Sequence, residues 1–123
     1  MPMQIEVSRH NGYILGRTTG PLDDSTRDVF RDQLHPLVAT AGTRLILDLA
    51  GSQRTNSQGI GSLVALVADA NTHDSRVILC NLQSFVAVVI TVTKLDKYFD
   101  IVATLDEAIA RAREPRSGPN LGT

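Results

Sequence analysis

The side chains best suited to chemistry in this 123-residue chain are three histidines, one cysteine and a short run of acids. His10, His35 and His73 stand far apart in unrelated contexts, with no H-x-x-x-H spacing to set two imidazoles on one helix face for a metal. They read as surface or structural histidines. Cys80 lies inside the apolar run RVILC, where a thiol behaves as a small hydrophobe. Asp23, Asp24 and Asp28 could form a carboxylate cluster, but acids at a helix start are also what capping and the helix dipole favour. No G-x-G-x-x-G or G-x-x-x-x-G-K-[ST] loop occurs, so a cradle for nucleotide phosphates has no support in the sequence.

One segment asks for more, Arg54-Thr55-Asn56-Ser57-Gln58-Gly59-Ile60-Gly61, which joins the apolar run Arg44–Leu49 to a helical stripe of Ile60, Leu63, Val64 and Val67. Two glycines in a first helical turn cost up to about 1 kcal/mol each relative to alanine. Something must offset that cost, either close packing onto a sheet or close approach of another chain's backbone. Asn56, Ser57 and Gln58 fall at the helix N-terminus, where open N–H groups and the macrodipole favour negative charge. Taken alone, Asn56 or Ser57 reads as an N-cap. An enzyme using Ser57 or Cys80 as nucleophile would need a base at readable spacing, which the sequence lacks.

The elements that must position this segment follow from periodicity. Gln4–Ser8 alternates apolar and polar residues, Tyr13–Thr18 is extended in character, and His10-Asn11-Gly12 between them reads as a hairpin turn. Ser25 with Asp28 gives a capping-box-like start, after which Val29, Phe30, Leu34, Leu37 and Val38 follow helical spacing. Pro36 must kink that helix or begin a fresh turn. Arg44–Leu49 and Arg76–Cys80 are short apolar runs of the kind buried on both faces of a sheet, and Phe99–Ala103 is a third strand. Thr104 with Glu107 makes a capping box, Arg111 and Arg113 suit the negative helix end, and Pro115 stops the helix. Phe85–Thr93 stays open: its Val, Ile and Thr content favours a strand, while a capped start at Ser84 and the length through Lys97 favour a helix. Ile46, Leu47, Leu49, Ile60, Leu63, Val64, Val67, Val77, Ile78 and Leu79 are the expected core. Two hairpin strands followed by strand–helix repeats give an α/β class with right-handed crossovers.

The chain is long enough for one domain, expected over residues 1–113, with a Gly- and Pro-rich tail at 114–123 that reads as disordered. Apolar residues make up 42% and charged ones 20%, and the net charge is -1 with the basic residues scattered, which argues against direct nucleic-acid binding. No apolar run reaches the roughly 18 residues of a membrane span. Residues 1–10 lack the basic segment and apolar stretch of a secretory signal, and a single cysteine suits a reducing compartment, so cytoplasm is the expected location.

The run LILDLAGSQRTNSQGIGSLVALVADA resembles the signature of STAS domains of the anti-sigma factor antagonist type: a buried strand ending in DL, a DSxG-like turn, then GxxxL on a helix. GPLDDST is similar to that family's G-x-L-D loop, and RVILCNL and VITVTKLDKYFDIVATLDEAIA match its closing strand, helix, short strand and terminal helix. The resemblance spans roughly residues 4–113. It implies a mixed, mostly parallel sheet of about five strands with about four flanking helices, a helix at Phe85–Thr93, no cofactor or metal, and no enzymatic activity. It further implies that Ser57 is phosphorylated by an anti-sigma factor that is also an ATPase-like serine kinase. A PP2C-type phosphatase would reverse this, and only the unphosphorylated form would capture the anti-sigma factor. The implied docking surface comprises Asn56, Ser57, Gln58, Gly59, Ile60 and Gly61, together with the loop Gly20, Pro21, Leu22, Asp23 and Asp24. Asn56 departs from the family, which usually has aspartate there. It keeps the acceptor that a cap needs but lacks the charge a kinase could read, which supports an alternative: a STAS scaffold in a signalling or transport assembly that never cycles through phosphate. Ala87, Val88 and Thr91 fall where the family usually has charged residues, which makes Ala87 and Val88 candidates for contact with a second copy or a partner.

Overall fold

The computed structural model describes residues 2–115. Ten elements follow in the order β1 (Gln4–His10), β2 (Tyr13–Thr19), α1 (Thr26–Gln33), α2 (His35–Val38), β3 (Arg44–Gly51), α3 (Ser57–Thr72), β4 (Arg76–Cys80), α4 (Ser84–Val92), β5 (Asp100–Ile101) and α5 (Leu105–Arg113). The five strands lie in one sheet in their chain order. β1 and β2 are antiparallel, and β2, β3, β4 and β5 are parallel. The expected α/β class and mixed, mostly parallel sheet are therefore present, with five helices, one of them the single turn α2.

The order of the strands decides where the helices go. Right-handed crossovers that always advance in the same direction put every crossover helix on the same face. α1, α2, α3 and α4 accordingly share one core with Leu45, Leu47, Leu49, Val77 and Leu79. The alternate residues Ile46, Ile78 and Cys80 point to the opposite face, where Ala108 and Ala112 of α5 cover them. Each central strand is buried on both sides, which is why its sequence is continuously apolar rather than alternating. The expected core residues are buried as read, except Val64, which is half-buried against the same cluster.

The hairpin closes through two residues, Asn11 and Gly12, between the paired His10 and Tyr13; Gly12 takes φ 93° while Asn11 keeps a negative φ, a turn in which only the second residue must be glycine. Pro36 sits in the first turn of α2, so the chain starts a fresh helix there, as the ring requires. Thr104 caps α5 by accepting from the Glu107 amide at 3.2 Å. At the other end of α5, the Arg44 guanidinium donates to the carbonyls of Ala112 and Glu114, satisfying groups the helix leaves open.

Four local expectations are corrected. Ser25 does not build a capping box with Asp28: its backbone is already helical, and its hydroxyl accepts from the Met3 amide and donates to Asp23 Oδ1. Ser84 does not cap α4. The residue before it, Gln83, is the boundary, and the Gln83 side chain reaches away to the Ala50 carbonyl. α4 also stops short of Lys97. Lys94 adopts φ 63°, and the amides of Leu95 and Lys94 close onto the carbonyls of Ile90 and Thr91, the double bond pattern that ends helices on a left-handed residue. The strand expected over Phe99–Ala103 shrinks to the two residues of β5. The expectation for the C-terminal tail falls, beyond Pro115, outside the described residues.

Leu47 is fully buried on the central strand. Leu47→Ala should lower the unfolding free energy by about 2–5 kcal/mol, the usual range for an emptied core leucine site, measured by urea denaturation against the parent.

Candidate functional site

The segment singled out in the sequence forms the junction between β3 and α3. Asn56 is the N-cap: its backbone is extended, its Oδ1 accepts from the Gly59 amide at 3.0 Å, and its carbonyl accepts from the Ile60 amide at 3.0 Å. The asparagine at this position thus makes the cap without a charge. Ser57 is the first helical residue and is exposed. Its hydroxyl has no hydrogen-bond partner among the described residues, and neither do the amides of Ser57 and Gln58. Two outward N–H groups beside an exposed hydroxyl, at the positive end of a 16-residue helix, favour negative charge.

The loop Gly20–Asp24 is locked against this helix start. Leu22 donates its amide to the Arg54 carbonyl at 2.9 Å and accepts the Asn56 amide at 3.1 Å, forming an isolated parallel bridge with Thr55. The Leu22 side chain is fully buried beneath. This contact also accounts for Gly59, where a methyl group would lie 1.9 Å from the Leu22 carbonyl oxygen. The backbone that approaches Gly59 so closely is the chain's own. Gly61 is different: a methyl there would meet nothing within 4 Å.

The loop and the junction meet as the family resemblance implied, but not all their residues face outward. Asp24, Asn56, Ser57, Gln58 and Gly61 are exposed, and Gly20, Pro21 and Asp23 are partly so. Leu22, Gly59 and Ile60 are buried beneath these residues and hold them in place. Beside Ser57 an open groove of about 680 Å³ runs between α1 and α3. Asp28, read in the sequence as part of an acidic cluster, lines it, and so do Arg27, Ser62 and Ala65, which the sequence did not single out. Helical spacing from Gln58 through Gly61 and Ser62 to Ala65 is the signal that would have found the α3 side.

Electrostatics at this end is local. The Ser25 hydroxyl, at 2.6 Å, and then its amide, at 2.9 Å, donate to Asp23 Oδ1 and hold that carboxyl below the usual carboxylate range. One strand further in, the buried Asp48 accepts from the Ala50 amide and from Asn81 Nδ2, with Arg17 Nε at 3.6 Å. Cys80 is fully buried, and burial, followed by the nearby Asp48 charge, pushes its thiol up to about 12. The thiol therefore stays protonated at neutral pH. The histidines need one correction: His35 and His73 are not in unrelated places. Both direct Nδ1 at the Asp69 carboxylate, at 2.6 and 3.2 Å. Among the described residues no group of three or more His, Cys, Asp or Glu side chains is arranged to hold a metal ion.

A family model described as the STAS domain matches residues 4–108. An anti-sigma F factor antagonist of Paenibacillus polymyxa is 26% identical over 84 residues, which cover 68% of this chain and 72% of that protein. A crystal structure of an anti-sigma factor antagonist from Mycobacterium paratuberculosis superposes with a TM-score of 0.75 at 24% identity, covering 91% of this chain and 95% of the other. The anti-sigma factor antagonist SpoIIAA in its unphosphorylated form superposes with a TM-score of 0.67 at 21% identity, covering 92% and 99%.

The two glycines of the first helical turn should respond in opposite directions. Gly59→Ala forces a methyl into the Leu22 backbone and should destabilise by roughly 1–3 kcal/mol or more, whereas Gly61→Ala should stabilise by up to about 1 kcal/mol; paired thermal melts distinguish the two. Ser25→Ala should raise the Asp23 pKa toward the ordinary carboxylate value, read by NMR titration of its side-chain carbonyl. Because the folded pKa is depressed, Asp23 contributes stability above the unfolded carboxylate pKa and loses it as pH falls through the folded value. The variant should therefore be less sensitive to acid over that window.

Proposed function

The chain belongs to the STAS domain family, and from that premise we propose that it is an anti-sigma factor antagonist-like regulator, switched off by phosphorylation at Ser57. Its partners in this reading are an anti-sigma factor that is also an ATPase-like serine kinase, and a PP2C-type phosphatase that restores the binding form. It acts by binding, as a cytoplasmic non-enzymatic domain. Among the described residues no helix is long and apolar enough to cross a membrane.

The observation that carries the reading is the exposed Ser57 hydroxyl, unpaired among the described residues, on a helix start that the Leu22 bridge holds in place. A phosphate there would add about -1.5 to -2 charge near neutral pH. Within the domain that charge meets the positive end of α3 and two open amides, so the fold tolerates it. At an interface the balance reverses. A desolvated charge facing a docked partner without a counter-charge costs several kcal/mol, enough to weaken binding by orders of magnitude. The likeness to SpoIIAA, a protein whose solved form is described as unphosphorylated, supports the same reading.

Asn56 favours a second reading, in which the domain is a scaffold that binds without cycling through phosphate. The N-cap it makes is complete, so the fold does not need the aspartate usual in the family, and only a kinase would miss the charge.

Ser57→Asp should melt within a few degrees of the parent yet bind the kinase-type partner at least tenfold more weakly, while Ser57→Ala should bind constitutively. Isothermal titration with the cognate kinase, and mass spectrometry of Ser57 after incubation with that kinase and ATP, are the measurements. Absence of phosphate together with unchanged binding by Ser57→Asp would leave the scaffold reading.

A further inference from the structure

One face of α4 is apolar and uncovered. Val86 and Ile90 bury in the core, while Phe85, Val88 and Val92 on the outer side are 49%, 58% and 73% exposed. Their spacing, three and then four residues apart, places them along one stripe, the spacing by which packed helices interdigitate. Ser84–Val92 contains no charged residue, and the flanking Asn81, Leu82 and Gln83 are uncharged as well. Charge resumes only past the helix end, at Lys94, Asp96 and Lys97, all exposed. Ala87, which the sequence paired with Val88, is half-buried and lies beside the stripe, not in it.

We propose that this stripe is the interface of a weak, two-fold symmetric homodimer in which α4 of one copy packs antiparallel on α4 of the other. A two-fold interface sets a surface against itself, so it excludes a patch of one charge sign and admits an uncharged one. Antiparallel packing about Val88 brings Phe85 of one copy onto Val92 of the other and places Lys94 and Lys97 beside the uncharged residues that precede the opposite helix. Parallel packing would set Lys94 and Lys97 against themselves, which the charge distribution disfavours. The end of the domain that carries Ser57 has a different chemistry, with Asp24, Asn56 and Gln58 exposed, so the two surfaces suit different occupants. Three side chains exposed to this degree supply a few hundred square ångströms, well under the roughly 800 Å² per partner of a stable complex. The dimer is therefore weak and concentration-dependent.

Sedimentation velocity of the full chain from about 10 μM to about 2 mM reads association of that strength. The parent should move from monomer toward dimer mass, and Val88→Glu should remain monomeric at every concentration, with circular dichroism verifying that it is folded. Val88→Cys tests the same contact without a charge: mild oxidation should link two copies through the new thiol, while Phe85→Cys and Val92→Cys should link to each other in a mixture and poorly to themselves. Cys80 is buried and does not compete. A parent that stays monomeric throughout would overturn the proposal and give the stripe to a different protein. A dimer that survives Val88→Glu would place the interface elsewhere. Efficient self-linking of Phe85→Cys and Val92→Cys would overturn the antiparallel arrangement.

Discussion

A pair of main-chain hydrogen bonds at Leu22 joins the two loops that form the candidate site. Its amide goes to Arg54 and its carbonyl receives Asn56, while its side chain anchors in the core. The loop after β2 and the loop after β3 are thereby one surface, although 32 residues separate Leu22 from Arg54 in the chain. Gly59 is the condition for this, since a side chain there would occupy the space of the Leu22 carbonyl. A surface built from two loops and fixed by backbone bonds loses little conformational entropy when a partner binds, so more of the contact energy appears as affinity.

The sheet braces the same end from below. In parallel strand–helix units the helix begins where the strand ends, so α3 and α4 both start along one edge of the sheet. Asp48 reaches from β3 to Asn81 after β4, and Gln83 reaches back to the carbonyl of Ala50. The Asp48 carboxylate is nearly buried, and it accepts two hydrogen bonds and faces Arg17. The aspartate of the LILDL run therefore ties the two helix starts together, a role that cannot be read without knowing what lies beside it.

Much of the fold was legible because it depends on local chemistry. The Asn-Gly turn, the Pro36 restart, the Thr104 cap and the doubly buried runs of β3 and β4 each follow from a few adjacent residues. Boundaries that rely on distant partners were not. Ser25 looks like a helix cap until Met3 arrives to take its hydroxyl. α4 seems longer than it is because Lys94, not a glycine, takes the left-handed turn that ends it. At the site, the N-cap and the exposed serine could be read from residue type and position. The burial of Leu22, Gly59 and Ile60 could not, because it comes from a loop crossing over the helix. The meeting of His35 and His73 at Asp69 likewise depends on how α2 and α3 lie side by side.

The placement of α5 carries a consequence for how the protein is made. One sheet face acquires its helices progressively as the chain lengthens, each unit settling next to the one before. The opposite face, with Leu15, Ile46 and Ile78, waits for α5, the last of the described elements to leave the ribosome. Arg44 and Arg76 wait with it, since their guanidiniums bond to carbonyls at the end of that helix. Until then the nascent domain presents a greasy sheet surface, the kind of half-formed state on which holding chaperones act. Translation must carry this chain past residue 113 before its second face is sealed.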